Sequence, residues 1–246
     1  MTTRVVILAA GKGTRMQADV PKALTTLKGK PVIQYLLDAV HASSIDPKPV
    51  IVVGQGSDAV RQKLGEGYEY VFQNVQLGTG HAMKVTRPIL QARTDAIIVL
   101  YCDHPFVHPT TIKKLRFLHE REGRVLSMMT TTVEDFDDWR KPFYDFGRVL
   151  RNAGGEIVRV VEKKDATPLQ LKIREVNPAL YCFRESWLWS HLEQLRNENA
   201  QKEYYLTDLV RIAIDSGERI ASMDVDPLEA IGVNTPEHLE LAMQVA

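Results

Sequence analysis

The chain has 246 residues, 44% hydrophobic and 25% charged, and its 31 Lys plus Arg balance 31 Asp plus Glu to a formal net charge of zero. That balance argues against a protein built on non-specific nucleic-acid binding, and no apolar run approaches the roughly 18 residues of a membrane span. A chain this long can bury one full core, and its two cysteines, Cys102 and Cys182, are too few for a disulfide framework or a zinc site.

Through the first half, strand-like and helix-like runs alternate. Val5–Leu8 reads as a strand. Pro31–His41 reads as a helix, with Val32, Ile33, Leu36, Leu37 and Val40 at helical spacing and Pro31 in the first turn. A second strand follows at Pro49–Val53, then a helix at Ser57–Leu64 with Ser57 as its cap. Tyr68–Phe72 is a short strand, Thr79–Leu90 a helix opened by Gly78, and Ala96–Tyr101 a continuous apolar run suited to a strand covered on both faces. Pro109–Arg121 is helical again. This order predicts a doubly wound, mostly parallel sheet with helices on both faces.

The middle of the chain changes character. Val125–Val133 alternates like a strand, and Gly147–Leu150 and Ile157–Val161 flank Asn152-Ala153-Gly154-Gly155, a hairpin turn signal. A strand at Arg174–Phe183, helices near Ser186–Leu195 and Leu206–Ser216, a strand at Arg219–Val225 and a helix at Pro236–Gln244 complete the chain. A smaller antiparallel β insertion is therefore expected, with no solenoid of hexapeptide repeats. The first residues enter a strand directly, without a charged leader and cleavage site. Both cysteines fall in apolar runs and read as reduced core thiols, which suits the cytoplasm.

In open α/β sheets, ligands sit beyond the carboxyl ends of the strands, and three features fall there. The first is Leu8 to Lys22, LAAGKGTRMQADVPK, where Gly11 and Gly13 offer positive φ and Lys12, Arg15 and Lys22 offer charge to a phosphorylated ligand. The spacing matches neither G-x-x-x-x-G-K-[ST] nor G-x-G-x-x-G, since Met16 stands at the third glycine. The second is Gln73 to Ala82, QNVQLGTGHA, in which Gly78, Thr79 and Gly80 precede a helix and Gln73 carries a donor and an acceptor for the edge of a base. The third is Asp103, a carboxylate at the end of a buried strand. It reads either as a hard ligand for Mg²⁺ or as a cap of the turn before Pro105.

Taken in order, these and later motifs resemble the sugar-phosphate nucleotidyltransferases. The opening LAAGKGTRM is followed by Pro21-Lys22 and by Leu27-Lys28-Gly29-Lys30-Pro31. QLGTGHA is more specific and resembles the uridylyltransferase domain of the bacterial N-acetylglucosamine-1-phosphate uridylyltransferases. Tyr101-x-Asp103-x-Pro105, Phe146-Gly147-Arg148-Val149, Val161 to Ala166, Glu175-Val176-Asn177, Glu203 to Asp208 and Gly232-Val233-Asn234 continue the match over essentially the whole chain.

The resemblance implies a Rossmann-like, glycosyltransferase-A-like nucleotidyltransferase fold in one domain. Residues 1–110 would hold the nucleotide, 111–234 the sugar, and 235–246 a C-terminal helix, with no acetyltransferase repeat domain. It implies UTP and a sugar 1-phosphate as partners, Mg²⁺ as cofactor, and neither nucleic acid nor membrane; a homo-oligomer stays open. Leu8, Ala9, Ala10, Gly11 and Gly13 would hold the nucleotide, and Gln73, Gly78 and Thr79 would read the uracil. Arg15 would face the leaving pyrophosphate, and Lys22 would neutralise the sugar phosphate and α-phosphate. Asp103 and Asn234 would ligate Mg²⁺. Tyr101, Gly147, Glu162, Asn177, Tyr205 and Thr207 would line the sugar pocket. Each also has an ordinary structural reading, such as a turn residue for Asn177 or a helix cap for Thr207.

The chain departs from the family pattern around the sugar pocket. Cys102 replaces a glycine, His104 and Phe106 replace aliphatic residues, and Pro178-Ala179 follow Asn177 where the family has Thr-Gly. Three rivals stay open: a cytidylyltransferase of isoprenoid synthesis, thymidylyl transfer to glucose 1-phosphate, and a sensor of the same fold without turnover.

Overall fold

A computed structural model describes residues 1–11, 13, 16, 20–199 and 201–245. In chain order the first half contains β1 (Thr3–Ala9), β2 (Thr26–Leu27), β3 (Lys30–Pro31), α1 (Val32–Ser43), β4 (Val50–Val53), α2 (Ser57–Leu64), β5 (Glu69–Phe72), α3 (Thr79–Lys84), α4 (Arg87–Leu90) and β6 (Ala96–Tyr101). The second half contains α5 (Pro109–Glu122), β7 (Leu126–Thr132), β8 (Gly147–Arg151), β9 (Ile157–Val161), β10 (Glu175–Asn177), β11 (Tyr181–Arg184), α6 (Glu185–His191), α7 (Asp208–Asp215), β12 (Ala221–Asp224) and α8 (Pro236–Val245).

One sheet of ten strands runs β5-β4-β1-β6-β11-β7-β10-β8-β9, with β12 added beside β7; β2 and β3 form a small ribbon apart. β5, β4, β1 and β6 are mutually parallel, β11 reverses direction between β6 and β7, and β10, β8 and β9 are antiparallel. The predicted antiparallel insertion is thus continuous with the parallel half.

Side chains alternate across a strand, and the core divides accordingly. Val6, Leu8, Val50, Val52, Ile97 and Val99 face one helical layer with Met83 of α3, Leu188 of α6 and Leu209 of α7. Val5, Ile7, Ile51, Val53, Ile98 and Leu100 face the other with Ile33 and Leu37 of α1, Val60 of α2 and Ile112 of α5. The continuous apolar runs of β1, β4 and β6 reflect burial on both faces. Among the described residues no helix is long and apolar enough to cross a membrane. Cys102 and Cys182 are free and buried.

Three expectations about elements need correction. Ser57 does not cap α2: Gly56 holds the N-cap position at φ 84 with no side-chain cap bond. The helix read as Thr79–Leu90 is two helices, because Pro88 has no N–H to continue the ladder and Thr86 Oγ1 bonds back to Met83 O at 2.7 Å. The strand read as Arg174–Phe183 is broken between Asn177 and Tyr181, where Pro178 lacks a donor and Ala179 adopts φ 63.

Candidate active site

The parallel strands deliver their carboxyl ends to one edge. Register pairs Ala9 with Val53, Val53 with Phe72 and Leu8 with Tyr101, so the segments after β1, β4, β5 and β6 emerge side by side. Leu8, Ala9 and Ala10 are buried there, Gly11 is exposed and Gly13 half-buried. Only Gly13 of the two glycines uses positive φ, at 63°, and a Cβ on it would lie 2.9 Å from Lys22 Cβ. The expectation of positive φ at Gly11 is corrected: no such conformation occurs there, and its place is simply open, with nothing within 4 Å of a built Cβ. Arg15 lies outside the described residues, as does Lys12.

Lys22, on a short 3₁₀ turn (Lys22–Leu24), reaches the centre of the edge. Its Nζ lies 2.5 Å from Asp103 Oδ2 and 2.7 Å from Asn234 Oδ1, joining residues 81 and 212 positions away along the chain. Asn234 reaches Asp103 because Val233 N donates to Asp103 O at 2.8 Å, an added rung beside the end of β6. Burial alone would raise the Asp103 carboxyl, but Lys22, and behind it His104, override this and hold it at about 2. Two oxygens converging on one cation form a hard donor set that fits a divalent ion such as Mg²⁺. No cluster of three or more His, Cys, Asp or Glu suited to a metal occurs among the described residues, so such an ion would draw its remaining ligands from water and substrate.

A second group of candidates lies after β5. Gln73 is buried, and its Nε2 donates to Gly78 O at 3.1 Å and pairs with His81 Nδ1 at 2.9 Å. Burial, with Lys84, lowers the pKa of His81, which favours the neutral ring that can accept at Nδ1. Both amide hydrogens of Gln73 are thus used within the protein, and its Oε1 carries no bond among the described residues. Gly78, at φ 102, approaches Tyr204 so closely that a Cβ would lie 2.6 Å from its carbonyl oxygen. Thr79 Oγ1 accepts Leu206 N at 2.9 Å, which ties this loop to the 203–207 segment.

The antiparallel half contributes a third group. Gly147 opens β8 and pairs in register with Asn177, the last residue of β10. A Cβ on Gly147 would lie 3.4 Å from Glu162 Oε1, just past the end of β9. Burial, then Asp208 and Asp165, raises the pKa of Glu162. Tyr205 donates to Gln201 Oε1, and burial with Glu203 pushes its hydroxyl up to about 12. Thr207 directly precedes α7. The structure therefore assembles every described candidate at one sheet edge or in the segments that cover it.

Residues 5–211 match the family model for the MobA-like NTP transferase domain. The chain belongs to this family. It is similar to the bifunctional protein GlmU of Brevibacillus brevis, at 40% identity over 93% of this chain and 48% of that protein. It is also similar to GlmU of Psychrobacter sp., at 40% identity over 97% of this chain and 50% of that protein. The chain spans about half the length of the curated relatives it matches. In fold it is similar to a Bacillus anthracis crystal structure described as a glucose-1-phosphate thymidylyltransferase in complex with sucrose. That likeness has a TM-score of 0.78 and 19% identity over 99% of this chain and 95% of the other.

In this NTP transferase domain, sequence reasoning missed two buried residues behind the third group. Arg148 is fully buried, and its guanidinium donates to the carbonyls of Tyr144 at 3.0 Å, Phe146 and Leu171 while stacking over Phe136 and Tyr144. It fixes the turn that presents Gly147. The motif Phe146-Gly147-Arg148 was the available signal. Tyr181 is the other; its hydroxyl accepts from Asn177 Nδ2 at 2.8 Å, and its place in an apolar strand gave no sign of a polar role.

Proposed function

We propose that this domain transfers UMP from UTP to a hexose 1-phosphate, with N-acetylglucosamine 1-phosphate as first candidate, giving a UDP-sugar and pyrophosphate. What carries this reading is the convergence of Lys22, Asp103 and Asn234 beyond the carboxyl ends of β1 and β6, together with the ordered motifs of the whole chain. The chemistry is in-line displacement: an oxygen of the sugar phosphate attacks the α-phosphorus, the bond to the bridging oxygen breaks, and pyrophosphate leaves. No protein nucleophile is required. Mg²⁺, held by Asp103 and Asn234 when bound, supplies neutralisation of phosphate charge.

The chain's own residues do the rest by placement and charge. Lys22 donates to phosphate oxygens from its half-buried position beside Gly13, and Arg15 supplies charge for the leaving pyrophosphate. Leu8, Ala9, Ala10, Gly11 and Gly13 hold the nucleotide, with Gly78 and Thr79 at the base. The unused Oε1 of Gln73 accepts the ring N–H of uracil. Cytosine has no such proton at that position, so this contact favours UTP over CTP; thymine shares the proton, so UTP over dTTP rests on the QLGTGHA motif. Tyr101, Gly147, Glu162, Asn177, Tyr205 and Thr207 line the sugar pocket. The division into a nucleotide part at 1–110, a sugar part at 111–234 and a C-terminal helix at 235–246 follows the same reading.

The test is pyrophosphate release with UTP, dTTP and CTP against N-acetylglucosamine, glucose and galactose 1-phosphates. Highest kcat/KM for UTP with a hexose 1-phosphate is the expected result. Preference for CTP sinks the base assignment, and no pyrophosphate with any pair sinks the transferase reading in favour of a binding protein.

A further inference from the structure

The turn between β4 and α2, Gly54-Gln55-Gly56, supplies none of the candidate residues, yet it touches the opening loop near both of its ends. Gly54 is buried and directly follows Val53, which pairs with Ala9. A Cβ built on Gly54 would lie 2.7 Å from Ala10 O and 2.7 Å from Gln76 Nε2. Non-bonded carbons settle at about 3.5–4.0 Å, so there is no room for a methyl group. The two neighbours differ in how far they can yield. The Gln76 amide ends a flexible side chain, whereas the Ala10 carbonyl is backbone, one residue past the Ala9–Val53 pair. Gly54 does not use positive φ; the Ala10 carbonyl and the Gln76 amide fill the place of a side chain.

Gly56 does the same at the far end of the opening loop. It stands at φ 84, and a Cβ there would lie 2.9 Å from Pro21 Cγ, with Pro21 Cδ at 3.8 Å and Pro21 Cβ at 4.0 Å. Pro21 immediately precedes Lys22, and its ring fixes φ, here at −50. Lys22 is met from a second side by Gly13, where a Cβ would come 2.9 Å from Lys22 Cβ. The backbone carrying Lys22 is therefore packed between two glycines, Gly13 directly and Gly56 through Pro21. The turn is also fastened to α2. Gly54 O accepts Ser57 N at 3.1 Å, and Gly56 O accepts Val60 N at 3.4 Å.

We propose that the β4–α2 turn is a spacer for the reaction, in which Gly54 sets the position of the nucleotide-holding residues through Ala10 and Gly56 sets the position of Lys22 through Pro21. Both are positioning residues, since neither offers a side-chain group to substrate. The inference rests on the transferase reading above and adds a division of labour to it. The first contact governs nucleotide binding, and the second governs delivery of the ammonium to phosphate.

Steady-state pyrophosphate release separates the two. About 1 Å of misplacement can cost 10²-fold, and a clash of this depth moves a loop by part of that. Gly54→Ala should therefore raise KM for UTP about tenfold and leave KM for the sugar 1-phosphate within about twofold. Gly56→Ala should lower kcat about tenfold and leave KM for UTP within about twofold. A general loosening of the fold would instead move every parameter together. Rescue is the second readout. Pro21→Ala removes Cγ and Cδ, leaving only the Cβ at 4.0 Å, an ordinary contact. The backbone strain of alanine at φ 84 is the same in both backgrounds, so recovery isolates the contact. In the Pro21→Ala background, Gly56→Ala should cost less than about threefold in kcat. Should circular dichroism show that Gly54→Ala does not fold, the exposed Gly56 carries the test through this cycle. With an active wild type, a folded Gly54→Ala whose KM for UTP is unmoved overturns the inference and leaves the transferase reading intact. So does a Gly56→Ala loss that never appears or that persists with Pro21→Ala. A wild type that releases no pyrophosphate from any pair overturns both.

Discussion

Strands β5, β4, β1 and β6 run parallel and release four loops at one edge, whereas β8, β9 and β10 are antiparallel and meet that edge alternately by a start and an end. The parallel half places its candidates on loops that leave in the same direction, and binds them around a compensated ion pair. There the Asp103 carboxyl is held at about 2 against its burial. The antiparallel half places its candidates at strand ends and around carboxylates whose charged form is disfavoured, as the raised pKa values of Glu162 and Asp208 record. The difference is one of ligand chemistry. A fixed ion pair suits phosphates, which are exchanged charge for charge. Partly desolvated carboxylates and hydroxyls suit neutral hydroxyl groups, which are matched bond for bond.

The contrast can be broken or sharpened by substitution. The largest effect should come from the ion pair: Asp103→Asn should cut kcat by about 10²–10³-fold, the scale of a lost charge-stabilising contact. Steady-state pyrophosphate release checks this, and a loss under about tenfold would make Asp103 a turn residue. Next is a pH effect seated where α5 packs on β7. Burial, with Arg184, lowers the pKa of His119 to about 4, and its Nδ1 lies 2.9 Å from Ser127 Oγ. A histidine whose folded pKa lies below the unfolded value is unpenalised at neutral pH, and stability falls as pH drops from 6.5 toward 4, because only the unfolded chain takes the proton. At about 1.4 kcal/mol per pKa unit this single group removes about 3 kcal/mol. Urea unfolding at pH 7 and pH 4 should show that His119→Gln loses less stability on acidification than the wild type by about this amount.

Glu162→Gln should separate the halves kinetically, raising KM for the sugar 1-phosphate about tenfold with KM for UTP nearly unchanged. Equal effects on both substrates would merge the two regions into one pocket. The smallest effect should be at the strained turn. Ala179→Gly relieves a left-handed conformation worth about 1–2 kcal/mol and returns part of that as unfolded-state entropy. A net gain of about 0.5–1 kcal/mol in chemical denaturation is expected.

The parallel half was legible in sequence because burial on both faces writes continuous apolar runs, and Ala96–Tyr101 was read to the residue; in the antiparallel half Ile157–Val161 was bounded instead by its turn signal. The two misread elements came from single residues that break a pattern locally: Pro88 inside a helical run and Pro178 inside an apolar strand. Candidate residues could be named because their motifs are local, but their contacts are not. The Asp103–Asn234 neighbourhood depends on one backbone hydrogen bond from Val233, which no periodicity announces. Tyr181 was invisible for a different reason. Its ring obeys the apolar pattern of β11, and only its terminal oxygen takes part in the site.

The Lys22 bridge makes the site a place of exchange. A divalent ion that took the lone pairs of Asp103 Oδ2 and Asn234 Oδ1 now facing Lys22 would displace the ammonium held there, so its observed affinity would be net of those two contacts. Any anion that draws the ammonium away makes the metal's entry easier, and by linkage the metal strengthens that anion's binding by the same factor. Metal and phosphate would thereby be coupled through one side chain.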